Sequence, residues 1–151
     1  MLEARRISLW RSQYELSSDG TRIATWHDRL WRNGGTLELE GRRYEVKSNL
    51  FATRYEMTDE AGEVVAVADR IGRKRWTVES NGQLYRFRRA SWWRHEEQLL
   101  EGDQPIGSVK RVSAWRSDAV ADLPGLPLPL QVFVFTIVLT AWDAQAAAAS
   151  S

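Results

Sequence analysis

Cysteine is absent from the 151 residues, which excludes disulfides, thiolate metal sites, cysteine nucleophiles and palmitoyl anchors. A reducing cytosol suits such a chain. Histidine is nearly absent as well. His27 and His95 are the only two, and neither lies in an H-E-x-x-H pattern or near a second ligand at metal-binding spacing. Both read as surface strand or turn residues. No Walker loop, G-x-G-x-x-G or G-x-S-x-G occurs. Asn33-Gly34-Gly35 is a turn signal, and the acids around Gly62 in "DEAGE" lack EF-hand spacing and read as a hairpin turn. Carboxylates are plentiful, but none is marked out as an acid–base pair. The expectation is a non-enzymatic protein with no cofactor and no metal.

Long uncharged runs are scarce. The start, "MLEARRISLW", is charged and has no apolar h-region, so no secretory signal is expected. Lysine is scarce beside arginine, three against eighteen. With the alanine-rich tail, this is the coding bias of a GC-rich, bacterial genome. The expected location is the cytoplasm, including peripheral attachment at the membrane surface.

What is present is a series of short β segments. "YELS" (14–17), "TRIATW" (21–26), "TLELE" (36–40), "RRYEVKS" (42–48), "LFATRYEMT" (50–58), "EVVAVADR" (63–70), "RWTVES" (75–80) and "QLYRFRR" (83–89) follow one another across Asp-Gly, Asn-Gly and similar turns. "HEEQLLE" (95–101), "PIGSVKRV" (105–112), "AWRSDAV" (114–120) and, at the start, "ISLW" (7–10) bring the count to about twelve. Residues 26–33, "WHDRLWRN", read as a helical turn or an irregular crossover. Regular turns and alternating polarity predict an antiparallel sandwich or barrel with one wet face.

The pattern breaks at residues 123–142, which carry no charge. Prolines at 124, 127 and 129 make the first part extended, and Pro129 is well placed to begin a helix. A membrane anchor would need more: the part after Pro129 is about 14 residues, roughly 21 Å as a helix against a ~30 Å bilayer core. Its flanks are Asp122 and Asp143, not Lys or Arg. A strand would be long, and Gln131, Thr136 and Thr140 give no two-residue period. A helix apolar on all sides must be buried on all sides. The expectation is one domain, 1–151, with 129–147 as a helix inside a closed barrel and no transmembrane span.

Net charge is only +1, but residues 70–94 carry +7 and the remainder −6. The cluster is Arg70, Arg73, Lys74, Arg75, Arg86, Arg88, Arg89 and Arg94, with Glu79 the one acid. Strand alternation puts Leu84, Arg86 and Arg88 on one face and Tyr85 and Phe87 on the other. Trp92 and Trp93 follow at once, and basic side chains beside Trp suit a membrane interface. These eight residues are the candidate site for anionic phospholipid. A protein partner held by the barrel is the alternative. Single-stranded nucleic acid comes third, disfavoured by the acidic remainder.

About twelve strands followed by one hydrophobic helix resembles the tubby C-terminal, phospholipid scramblase and LURP-one-related superfamily. "YEMTDEAGEVVAVADR" (55–70) is similar to its strand–turn–strand unit, and "EGDQPIGSVKRV" (101–112) to its late hairpin before a basic strand. The resemblance implies an α+β, mainly β fold: a closed antiparallel barrel of about twelve strands around a central C-terminal helix. It implies no single activity. Tubby domains bind phosphoinositides through Lys and Arg on the barrel wall, and scramblases are linked to calcium and lipid movement. The chain lacks the proline-rich segment and cysteine cluster of scramblases.

Overall fold

The computed structural model describes residues 1–8, 11–29, 34–91, 94–114 and 117–150, with 113 and 114 described by backbone only. Twelve strands run β1 (Leu2–Arg6), β2 (Gln13–Ser18), β3 (Thr21–Asp28), β4 (Gly34–Leu39), β5 (Arg42–Ser48), β6 (Arg54–Thr58), β7 (Val64–Asp69), β8 (Arg75–Ser80), β9 (Gln83–Ser91), β10 (Glu96–Glu101), β11 (Gln104–Ala114) and β12 (Ser117–Asp122), and α1 (Leu128–Ala149) follows. Each strand pairs antiparallel with its neighbours in the chain, and β1 pairs with β12 to close the barrel through Leu2 opposite Ala121 and Ala4 opposite Ala119. The expected closed, mainly β barrel with a C-terminal helix is the architecture found.

Alternation decides which side chains enter. Tyr14 and Leu16, Leu37 and Leu39, Val46 and Tyr44, Met57 and Tyr55, and Trp76 and Val78 are buried, while their sequence neighbours face out. Small residues stand on other stretches of wall: Ala4, Ala66, Ala68, Ala119 and Ala121. The helix fills the space between. Ten of its residues are buried, including Phe133, Val134, Phe135, Ile137 and Leu139. It is long and apolar enough to cross a membrane by length and composition alone; here its apolar surface is spent on the protein's own core.

The chain enters the barrel through a strap at 123–127. Leu123–Leu126 form a turn with Pro124 second and Gly125 third, at φ +86, and the Leu126 N–H donates to the Leu123 carbonyl at 3.4 Å. Only glycine takes that third position without strain. The strap lies hard against β11: a Cβ at Gly107 would meet the Asp122 carbonyl and stand 2.8 Å from Pro124 Cδ. The helix begins one residue before Pro129, which lies in its first turn.

Strand limits differ from expectation in four places, one being 114–120, where Ala114 ends β11, 115–116 lie outside the described residues and β12 runs Ser117–Asp122. The first strand is Leu2–Arg6, because these residues close the sheet against β12; Ile7 and Ser8 follow it, and 9–10 lie outside the described residues. Residues 50–53 are a turn, since Asn49 ties its own side chain to the Thr53 and Arg54 N–H groups at 2.8 and 3.1 Å. Residues 26–28 continue β3 as strand, and 30–33 lie outside the described residues.

A carboxylate at Ile137, which is 1% exposed, would have no partner and would cost several kcal/mol, comparable with the whole stability of a domain. Ile137→Asp is expected to leave the chain unfolded by circular dichroism; a cooperative melt near the wild-type temperature would refute the enclosed helix.

Candidate functional site

Consecutive antiparallel strands put alternate connections at opposite ends. The near end, where the chain turns inward, carries the connections 19–20, 40–41, 59–63, 81–82, 102–103 and 123–127. Their sequences contain Asp19, Glu40, Asp59, Glu60, Glu63 and Asp103 and no Lys or Arg. The far end, where the helix emerges, carries the described connection residues 7–8, 11–12, 29, 49–53, 70–74 and 94–95. Among these described residues are six Lys or Arg, namely Arg11, Arg29, Arg70, Arg73, Lys74 and Arg94, and no Asp or Glu. The described connections are thus sorted by charge along the barrel axis, while Arg22, Arg42 and Arg43 stand exposed at the strand starts beside the near-end connections.

The eight predicted residues fall into three groups. Arg70, Arg73 and Lys74, exposed in the β7–β8 connection, and Arg94, exposed in the β9–β10 connection, lie at the far end. Arg75, Arg86 and Arg88 point outward on the adjoining wall; Arg75 stands directly opposite Arg88, and Arg86 opposite Thr77. Like charges directly across a strand pair repel. Arg88 donates to Gln98 Oε1 at 3.1 Å; among the described residues no ion pair joins these seven to an acid. Arg89 belongs elsewhere. It follows buried Phe87 by two residues, donates to the Gly72 carbonyl at 2.7 Å and stands 4.0 Å from Glu97. Trp92 and Trp93 lie outside the described residues.

Acids at the strand ends nearby are already paired. Asp28 is held by Arg11 and Asp69 by Arg54. Asp118 accepts from the Arg6 N–H at 2.7 Å. The Arg11–Asp28 and Arg54–Asp69 pairs are each locally neutral, so Arg11 is not a free cation, and Asp118, bonded to a neutral amide, keeps its charge.

Where the helix emerges, its one acid, Asp143, is clamped to β1 and to the start of β2. Arg6 pairs with it, Ser12 Oγ donates at 2.8 Å and Tyr14 OH at 2.9 Å. Burial, and then the neighbouring carboxylate, push the Tyr14 phenol well above its ordinary pKa, so it stays a donor. On another side Glu97 accepts from Trp76 Nε1 at 2.6 Å. Trp76 stacks on Phe87 with centroids 4.2 Å apart. His95 is not simply a surface residue: its ring meets helix residue Trp142 at 5.3 Å, and Arg111 lies over the same indole at 5.3 Å. Nothing in the sequence marked Asp143, Glu97 or Tyr14; only the register brings residues 129 apart into hydrogen-bond range.

Among the described residues Glu97 is the one carboxyl with its pKa pushed up, to about 7, by burial, against the opposing pull of Trp76 and Arg89. A perturbed carboxyl invites a catalytic reading. The adjoining cavity is about 20 Å³, bounded by Trp76, Arg89, Val138 and Trp142. That is room for about one water, and the Glu97 carboxylate accepts from Trp76 Nε1 and faces Arg89 at 4.0 Å. Among the described residues no His, Asp and Glu cluster could hold a metal.

Two outcomes follow. Asp143→Ala would remove the charged partner of Arg6 and the acceptor of the buried Tyr14 hydroxyl, leaving Arg6 its bonds to Tyr14 OH at 2.7 Å and the Arg11 carbonyl at 3.3 Å, and should lower stability by roughly 2–3 kcal/mol in denaturant titration; no change would show that the clamp is idle. For Glu97 the native state binds its proton more tightly than the unfolded chain, so the native state loses stability as pH rises from about 4.5 through about 7. Glu97→Gln keeps the acceptor for Trp76 and should gain up to roughly 3 kcal/mol over wild type at pH 8 relative to pH 4; parallel pH profiles would contradict this.

Comparison with protein-family models, curated proteins and solved structures gives no match in any of the three.

Proposed function

We propose that the protein is a non-enzymatic module that docks on anionic phospholipid through the far end of its barrel and the adjoining basic wall. The observation that carries this is the sorting of connections by charge: six acids and no base at the near end, six bases and no acid among the described residues of the far-end connections. A molecule polarised in this way turns its basic end toward a negative surface before contact. Arg70, Arg73, Lys74 and Arg94, with Arg75, Arg86 and Arg88 beside them, form the contact. Each Lys or Arg near such a surface contributes about 1 kcal/mol at low salt. Membership of the tubby, scramblase and LURP-one-related superfamily is part of the same proposal. A twelve-strand barrel around a helix and basic residues on its surface support it.

Co-flotation with vesicles tests the reading. The chain should float with phosphatidylserine-containing vesicles, stay behind with neutral ones, and bind far less between low and physiological salt, since exposed charges are screened over ~8–10 Å. Arg73→Glu with Lys74→Glu should weaken binding at least about thirtyfold, from ~1 kcal/mol per lost cation. Arg86→Glu with Arg88→Glu should weaken it too. Both pairs should leave the melting temperature nearly unchanged, and Glu60→Gln at the near end should change nothing. Binding that ignores lipid charge, or survives both reversals, would return the advantage to a protein partner.

A further inference from the structure

Leu50 and Phe51 stand out from the surface at the far end. They are 82% and 81% exposed, more than any other large apolar residue described. They are adjacent, at the tip of the β5–β6 connection, and the tip is stiff. Asn49 Oδ1 accepts from the Thr53 and Arg54 N–H groups at 2.8 and 3.1 Å, and its Nδ2 donates to Thr53 Oγ1 at 2.8 Å. The Ala52 N–H donates to the Asn49 carbonyl at 3.1 Å, with Ala52 at φ +56. This turn needs the Asn side chain and a left-handed residue near its end. It makes no demand for Leu and Phe at the two positions between, where polar residues would cost nothing in the turn and would avoid exposing apolar surface.

The tip is also joined to the basic connection. The Ile71 N–H donates to the Thr53 carbonyl at 2.9 Å, and Ile71 is buried. Arg70, Arg73 and Lys74 thus flank the base of the tip. A groove of about 350 Å³ runs from Phe51 and Arg73 to Ala141 and Ala144 on the emerging helix, so the apolar surface continues inward from the tip.

We propose that Leu50 and Phe51 form a preset hydrophobic tip that inserts among the acyl chains of an anionic phospholipid layer, while the adjoining Arg70, Arg73 and Lys74 hold the head groups. This rests on the lipid-docking reading above and adds to it: charge orients the barrel, and the tip anchors it. A rigid tip loses little conformational freedom on insertion. An apolar pair ringed by cations matches an interface whose head groups are negative and whose interior is hydrocarbon. The pair supplies a part of the binding that salt does not screen.

The cysteine-free chain makes the test direct, because a single introduced thiol is a unique labelling site. Phe51→Cys and, at the opposite end, Ala61→Cys are each labelled with an environment-sensitive fluorophore and mixed with phosphatidylserine-containing vesicles. The label at 51 is expected to shift to the blue and to be quenched by acyl-chain-brominated lipid, and the label at 61 to stay in water. Leu50→Ser with Phe51→Ser should lower vesicle affinity at least tenfold at physiological salt, keep most of the low-salt association, and leave the melting temperature unchanged. Vesicle binding with the label at 51 still in water overturns insertion and leaves electrostatic docking intact. No vesicle binding by the unlabelled chain overturns both. A blue shift that grows with protein concentration in the absence of lipid overturns insertion in favour of a second copy of the chain on the tip.

Discussion

The fold depends on filling a space that its strands cannot fill. About eight strands close on an interior that their own side chains occupy; twelve strands enclose a wider one. Something must stand in the middle, and it must be apolar on every side. Residues 130–139 meet that condition and are buried almost without interruption, Gln131 being only partly so. Barrel and helix are thus mutually conditional. The wall has no dry interior without the helix, and the helix has no tolerable place in water without the wall. The alanines of β1, β7 and β12 and the aromatic residues of β2, β6 and β8 then set how much room each wall leaves.

An all-round apolar helix has no preferred rotation, because no face of it is marked for solvent. Polar contacts supply what hydrophobicity does not. They sit where the helix emerges: Asp143 in its clamp of Arg6, Ser12 and Tyr14, and Trp142 between His95 and Arg111. Glu97, bonded to Trp76, belongs to the same rim but acts within the wall. These groups would look like an active site in a list of unusual carboxyls. In the structure Glu97 fastens Trp76 within the wall, and Asp143 fastens the helix to Arg6, Ser12 and Tyr14.

The same meander that encloses the helix sorts the connections by end, and this is how a nearly neutral chain acquires a dipolar surface. Among the described connections the charged ones alternate in sign along the sequence, so the topology delivers the acidic ones to one end and the basic ones to the other. A window count sees only the basic stretch 70–94. It misses that this stretch spans two far-end connections and the hairpin between them, and it counts Arg89 among the free cations although that side chain bonds Gly72 and nears Glu97. The exposed pair Leu50 and Phe51 is hidden for a related reason. Beside "ATRYEMT" it reads as the start of a strand, and only the Asn49 hydrogen bonds turn it into a tip.

Periodicity and turn chemistry, both local, determined the number of strands, nearly all the hairpins and the central helix of this protein. The two-residue alternation in "TLELE" or "RWTVES" and the positive-φ dipeptides at 19–20 and 81–82 are written into neighbouring residues. An uncharged run bounded by Asp122 and Asp143, apolar on every side, was enough to place a helix inside. Tertiary structure alone decided which strand closes the barrel, since β1 is chosen by what it meets on β12. It alone decided which arginines remain exposed, which acids fasten the helix, and that the apolar tip shares an end with the basic turns. Those outcomes join residues dozens of positions apart, and their energies arise only once burial and register have brought the groups within a few ångströms.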